Sequence, residues 1–167
     1  SYRHIGPENI EIGTGRIGAL QTASQLGLIS GKYLFDDKAI VYAKIRPNLN
    51  KVCVPGFTGL CSADAYPIWS VESKAERDYL VHYMRSELFL RQSIAASMRT
   101  GMPKINRPDL QSIKVLLPPL AEQRRIAMIL RAWEVRGLQV RGEISRKQML
   151  KRGLMQQLLR GAKRFAE

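Results

Sequence analysis

A stretch of forty residues without proline, from Ala121 to Arg160, constrains the fold of this chain more than any other feature. It follows the segment Leu117-Pro-Pro-Leu120, and paired prolines interrupt both helices and the hydrogen-bond ladders of strands. Pro119 suits the first turn of a helix, and Glu122 would then lie near the positive end of the helix dipole. We therefore predict a single helix over residues 119–161, which would be about 60 Å long.

Apolar residues recur along this predicted helix at alternating spacings of four and three residues, as they do in a coiled-coil seam. Gly137, Lys147 and Lys151 interrupt the seam, and a glycine inside a helix costs about 1 kcal/mol relative to alanine. A helix of this kind is expected to need a partner helix, and a terminal helix packed on its own domain is the alternative. The predicted helix-pairing residues are Ile126, Leu130, Trp133, Val140, Ile144, Leu154 and Leu158.

The same region carries a recognisable motif. Residues 117–127 read Leu-Pro-Pro-Leu-Ala-Glu-Gln-Arg-Arg-Ile-Ala, and residues 153–161 read Gly-Leu-Met-Gln-Gln-Leu-Leu-Arg-Gly. This combination resembles the specificity subunits of Type I restriction-modification systems. The resemblance implies that the helix joins target-recognition domains and docks the modification (methyltransferase) subunits, with the restriction subunit joined through the complex. It also implies double-stranded DNA as a partner and the cytoplasm of a bacterium or archaeon as the location.

The charge of the chain favours a polyanionic partner. Lys and Arg number 27 against 14 Asp and Glu, which gives a formal net charge of +13. A basic protein of this size most often binds nucleic acid, although a basic helix that faces a partner protein would give a similar balance. Cys53 and Cys61 are too few for a disulfide framework or a zinc site. No apolar run approaches the roughly 18 residues that predict a membrane span.

Two loops concentrate basic and amide side chains around proline and glycine. They cover Lys44–Lys51 and Arg99–Arg107. Lys and Arg can contact phosphates there, and Asn can pair with adenine edges, whereas the alternative for each loop is a solvated turn. Strings similar to Lys-Ile-Arg-Pro-x-Leu-x-Lys occur in the recognition domains of the resembled family. The predicted DNA-binding residues are Arg16, Lys44, Arg46, Asn48, Asn50, Lys51, Arg99, Thr100, Lys104, Asn106 and Arg107.

A glycine-rich segment near the start of the chain matches a cofactor motif by spacing alone. Gly13-Thr-Gly-Arg-Ile-Gly18 fits the G-x-G-x-x-G pattern, and Asp36 and Asp37 follow at roughly the distance of a ribose-binding acid. The preceding residues 8–12 are too polar for the buried parallel strand that the motif requires. We interpret the segment as a mobile loop that carries Arg16, and we predict no cofactor.

The rest of the chain predicts a mixed α/β (α+β) domain over residues 1–118. Strands are expected at 33–35, 39–45, 51–54, 59–69 and 112–117, in one mixed β-sheet, with one helix over 75–98. A protruding helix over 119–161 and a tail over 162–167 would follow. The resembled subunits carry two recognition domains and two such helices. The single helix here therefore predicts an antiparallel coiled coil, formed either by a homodimer or within a longer two-domain subunit.

The sequence offers two enzymatic alternatives, and we reject both. Pro118-Pro119 is similar to part of the motif of DNA amino-methyltransferases, but Leu117 and Leu120 replace its polar and aromatic residues. Asp64 with Glu72 and Lys74 has the spacing of a metal-nuclease trio, which is common by chance. We predict no catalytic residues and no metal. The predicted function is a non-catalytic DNA-specificity subunit, and the alternative is a basic helical adaptor that binds only protein.

Overall fold

The structure of the protein, a computed structural model, describes residues 2–29, 31–97 and 103–164. It is a mixed α/β domain with small sheets, followed by a long C-terminal helix, which confirms the predicted fold class. The strands are β1 (His4–Ile5), β2 (Tyr33–Phe35), β3 (Ile40–Ala43), β4 (Val52–Cys53), β5 (Gly59–Cys61) and β6 (Ala65–Ile68). The helices are α1 (Arg77–Arg85), α2 (Glu87–Ser97), α3 (Arg107–Ser112) and α4 (Leu120–Leu159).

The chain divides into two compact units, residues 1–127 and residues 128–167. The first unit contains the six strands of the described residues, helices α1 to α3 and the first two turns of α4. In the second unit, every side chain from residue 128 to residue 164 is exposed, including Trp133 at 72% and Leu159 at 81%. None of the helices in the described part of the chain combines the length and the apolar content that a membrane crossing needs.

The six strands form two three-stranded sheets where the sequence predicted one. The first has the order β1-β5-β2, with β1 parallel and β2 antiparallel to β5. The second has the order β4-β3-β6 and is antiparallel throughout. The predicted strand over 59–69 divides because Ala65 N donates to Ser62 O in a tight turn. That turn sends β5 into the first sheet and β6 into the second.

The two sheets share one hydrophobic cluster, and the second sheet also contributes to another. The shared cluster takes Ile5, Phe35 and Cys61 from the first sheet and Val41 from the second. Tyr42 belongs to the other, because side chains alternate along β3 between its two faces. This second cluster packs the second sheet against α1, α2 and the start of α4, where Ala127 is buried.

A break at Ser86 divides the helix that the sequence predicted over 75–98. Ser86 adopts an extended conformation, with φ −75° and ψ 159°. Its hydroxyl donates to Tyr83 O at 2.6 Å and accepts from Phe89 N at 3.5 Å. One serine side chain therefore caps the end of α1 and the start of α2, and the prediction of a single helix is wrong.

The predicted strand over 112–117 is also wrong. Ser112 ends α3, and the residues that follow it up to α4 join neither sheet. Tyrosine hydroxyls of α1 take the place of a neighbouring strand, since Tyr79 Oη donates to Leu116 O at 2.7 Å and Tyr83 Oη donates to Lys114 O at 3.2 Å. The apolar pattern of the segment arises because Ile113 and Val115 pack against the second cluster.

Candidate nucleic-acid interface

The structure brings together the two basic loops that the sequence predicted. Ile45 and Lys104 form an antiparallel bridge. Arg46 N donates to Pro103 O at 2.8 Å, and Ile105 N donates to Lys44 O at 2.9 Å. These backbone hydrogen bonds fix the loop after β3 to the segment before α3, although about sixty residues separate the two along the chain. We call residues 44–51 and 103–107 the paired basic loops.

The first of these loops has an unusual backbone. A 3₁₀ turn over Pro47–Leu49 is flanked by Arg46 at φ 47° and Asn50 at φ 45°, both in the left-handed region. Residues other than glycine adopt this region at a cost of roughly 1 kcal/mol or more, and they cluster at functional sites. The turn buries Pro47 and leaves Arg46 and Asn48 exposed. The loop thus presents a guanidinium and an amide to solvent.

Asn50 and Lys51 instead hold the loop in place. Asn50 is only 8% exposed, and its Nδ2 donates to Arg85 O at 2.9 Å. Lys51 is half-buried, and its Nζ donates to Pro7 O at 2.6 Å. The sequence grouped both residues with the DNA-binding side chains, but these contacts occupy them within the fold. We therefore leave both out of the proposed interface.

Two cations from the paired basic loops lie over the same aromatic ring. Lys44 Nζ is 5.3 Å from the centroid of the Tyr66 ring, and Arg107 Cζ is 5.5 Å from it. Arg107 Cζ is also 5.4 Å from the centroid of Tyr33. Cation–π attraction at these distances holds long side chains in place without neutralising their charge. Burial is the largest cause that raises the pKa of Tyr66, and the nearby Arg107 opposes the shift.

Of the remaining predicted residues in the second loop, some are simply exposed and one caps a helix. Lys104 and Arg107 are exposed. Asn106 is exposed too, but its Oδ1 accepts from Asp109 N at 3.0 Å and caps the N-terminus of α3. Arg99 and Thr100 lie outside the described residues.

Arg16 makes its contacts within its own glycine-rich loop. Its Nε lies 3.3 Å from Glu11 Oε2, and its backbone N donates to Thr14 Oγ1 at 3.3 Å. Gly15, at φ +65°, lies so close to Val52 O and the Arg85 guanidinium that any side chain would overlap them. The loop therefore packs on β4, and this close approach accounts for one of the glycines that resemble a cofactor motif.

Sequence reasoning missed the aromatic residues that lie beneath these cations. Tyr33 and Tyr66 lie on strands β2 and β6. The available signal was the placement of Tyr in the strands of a strongly basic chain, since cations lie over aromatic rings. Which rings meet which cations depends on sheet pairing, and strand periodicity does not give that.

The fold and the paired basic loops point to a class of DNA-recognition domain, and comparison with known proteins agrees. The chain belongs to the family of type I restriction modification DNA specificity domains, whose family model matches residues 16–135. This confirms the resemblance found in the sequence.

Particular relatives cover nearly all of this chain. It is 36% identical over 162 residues to the Type I restriction enzyme EcoDI specificity subunit of Escherichia coli, a match that covers 95% of this chain and 36% of that protein. It is similar to the HsdS subunit crystal structure from Thermoanaerobacter tengcongensis, with a TM-score of 0.74 and 25% identity over 93% of this chain and 41% of that one. It is also similar to a chain in a solved structure that concerns complex assembly and conformational transition of the type I R-M system. The TM-score is 0.76 with 26% identity, and the match covers 99% of this chain and 44% of that one. The chain thus spans about a third of the length of the curated relative.

Proposed function

We propose that this chain binds double-stranded DNA through the paired basic loops and supplies sequence specificity to a type I restriction-modification complex. The bridge between Ile45 and Lys104 carries the proposal, because it joins two separate basic segments into one surface. Arg46, Lys104 and Arg107 are exposed there. Lys and Arg position such a surface on phosphates, while amide and guanidinium groups that reach a groove read bases.

The proposed role includes no chemistry by this chain itself. Glu72, one member of the nuclease-like trio, pairs with Lys38 at 3.0 Å in the structure. Over residues 2–29, 31–97 and 103–164, no group of three or more His, Cys, Asp or Glu side chains is arranged to hold a metal ion. We propose that the modification and restriction subunits of the complex supply catalysis, in the cytoplasm of a bacterium or archaeon.

The salt dependence of DNA binding tests this function against the adaptor alternative. Each phosphate contact releases counterions and contributes about −0.9 to the slope of log K against log salt. We expect affinity for a short duplex, measured by fluorescence anisotropy, to fall with salt at a slope of about −3 or steeper. A chain that binds no duplex at low salt, or binds it independently of salt, would favour a protein-only adaptor.

We further propose that α4 pairs with a second long helix and provides docking surface for the modification subunits, with the restriction subunit joined through the complex. Beyond Ala127, the predicted pairing positions are exposed, as Leu130 at 39% and Ile144 at 50% illustrate. Burying such side chains stabilises a helix–helix contact by about 25 cal/mol per Å² of apolar area. The simplest partner is the same helix of a second copy, arranged antiparallel about a two-fold axis.

The helix pairing gives a testable prediction. Replacing Ile144 by Asp would place a charge in the seam, so a homodimer formed at micromolar concentration should dissociate into monomers. Sedimentation equilibrium measures the change. Ser145→Asp, which adds the same charge one position away from the seam, should leave the dimer intact. A wild-type chain that is strictly monomeric would contradict the homodimer and favour pairing within a longer two-domain subunit.

A further inference from the structure

A groove next to the paired basic loops has a lining that, apart from Arg107, the proposed duplex contacts do not use. β2 and β6 are outer strands of the two different sheets, and both contribute to this groove. Helix α3 closes one side with Arg107, Leu110 and Gln111. The groove is open to solvent and has a volume of about 590 Å³, which lies within the range of roughly 300–1,000 Å³ for small-ligand clefts.

The chemistry of the lining suits a flat, negatively charged ligand. Trp69 and the half-buried Tyr33 supply aromatic surface, and Lys32 and Arg107 supply positive charge. The part of the lining that the structure describes contains no Asp or Glu side chain. Stacking on aromatic rings beside cations is the usual way in which proteins hold unpaired nucleotides, because every base has a π-face and a phosphate follows it.

Trp69 is the ring most available for stacking. Its side chain is held by one edge, since Nε1 donates to Asp36 Oδ1 at 2.8 Å. The residue nevertheless remains 47% exposed. This arrangement fixes the orientation of the indole in advance, which lowers the entropy cost when a ligand stacks on it.

The groove is continuous with the proposed duplex-binding surface. Arg107 belongs to the paired basic loops and also lines the groove. Tyr66 also lines the groove, and Lys44 Nζ lies 5.3 Å from the centroid of its ring. A DNA strand that crosses the paired basic loops would therefore reach the groove without leaving positively charged surface.

We propose that this groove binds an unpaired nucleotide of the DNA strand held by the paired basic loops, with the base stacked on Trp69 and the phosphate near Arg107 and Lys32. The inference rests on the proposed function, because the duplex must be held by the loops for its strand to enter the groove. The groove would hold a base that lies outside the double helix, and it adjoins the surface that is proposed to read paired DNA.

The test compares two fluorescently labelled duplexes that differ only in one unpaired adenosine. Wild-type chain should bind the bulged duplex about tenfold more tightly than the fully paired one, by fluorescence anisotropy. Trp69→Leu should reduce this preference to less than about twofold while keeping affinity for the paired duplex. Trp69→Phe is the matched control, because it also loses the hydrogen bond to Asp36 but keeps an aromatic face, so the preference should largely remain.

Intrinsic fluorescence gives a second measurement. The chain has two tryptophans, so Trp133 still emits in the Trp69→Leu variant. The bulged duplex should quench emission in the wild type by more than in that variant. Equal quenching in the two proteins would overturn the proposal. The proposal would also be overturned if deoxyadenosine monophosphate competed as effectively as the bulged duplex, because the site would then bind a free nucleotide.

The possible results separate this inference from the function on which it rests. Binding of both duplexes with equal affinity would refute the groove as a nucleotide site and leave the proposed function standing. A preference that survives in Trp69→Leu would also refute it, since DNA flexibility alone would then explain the preference. Binding of neither duplex would refute the proposed function itself.

Discussion

Replacing Arg46, Lys104 and Arg107 together by alanine is expected to weaken binding to duplex DNA by about 100- to 1,000-fold at about 0.1 M salt. These exposed cations belong to the paired basic loops, and each is expected to meet a phosphate or a base edge. A lost phosphate contact removes about 0.9 from the salt slope, which at this salt corresponds to roughly eightfold in affinity. Anisotropy titrations over a range of salt would show both the lower affinity and a slope reduced by about three units.

A charge-matched variant distinguishes the effect of where the lost charges lie from the effect of the lower net charge. Arg91, Lys114 and Arg125 are exposed cations outside the paired basic loops. Their combined replacement by alanine lowers the net charge by the same amount, but it should weaken binding by no more than about threefold, because long-range attraction between exposed charges is screened by salt. Similar losses in the two triple variants would show that binding depends on overall charge, and the paired basic loops would no longer be the proposed interface.

The long helix was predictable because its signals are local. The proline-free stretch, the acidic residue in the first turn and the apolar spacing can all be read within one segment. The structure accordingly places α4 at Leu120–Leu159, within two residues of the predicted bounds. The basic loops were predictable for the same reason, since their composition is local.

The joining of the loops was not predictable, because it depends on contacts between distant residues. Nothing in the sequence near Ile45 indicates that it pairs with Lys104. The burial of Asn50 follows from its hydrogen bond to Arg85 O, thirty-five residues away. Asparagine at the end of a basic string is equally compatible with an exposed base reader and with a buried anchor. Tertiary packing therefore determined which of the predicted polar residues remain exposed.

The strand predicted over 112–117 failed for a related reason. An apolar segment next to prolines has the composition of a buried strand, and Ile113 and Val115 do pack against the core. However, hydroxyl groups of Tyr79 and Tyr83 bind its carbonyl oxygens. Those tyrosines are also buried in the second hydrophobic cluster, and their apolar contribution to the helix does not reveal that their hydroxyl groups act as hydrogen-bond donors.

The motif over residues 117–127 contains a buried polar residue whose contacts explain its place in the fold. Gln123 is completely buried in the first turn of α4. Its Oε1 accepts from Glu76 N at 2.8 Å, and its Nε2 donates to Lys74 O at 3.0 Å and to Pro118 O at 2.7 Å. One side chain therefore ties the start of α4 to the segment that leads into α1.

Gln123→Ala is expected to destabilise the chain by about 3 kcal/mol, because it leaves a backbone N–H and two carbonyl oxygens without their partner, and each buried unpaired group costs about 1–3 kcal/mol. Chemical denaturation followed by circular dichroism measures the change. Arg125→Ala, an exposed neighbour on the same helix, should change stability by less than about 0.5 kcal/mol. A loss below about 1 kcal/mol for Gln123→Ala would show that water or a local rearrangement replaces these hydrogen bonds.

The variant Gln123→Glu tests the same contacts through pH. A carboxylate there would face Lys74 O and Pro118 O without a proton to donate, so burial and the two carbonyl oxygens should raise its pKa in the folded state. With the folded pKa above the unfolded value of about 4.3, the unfolded state releases its proton first, and stability is lost as pH rises through the folded pKa. The destabilisation relative to wild type should therefore be large at neutral pH and shrink below about pH 5. A difference between the two proteins that does not vary with pH would contradict donation from position 123 to these carbonyl groups.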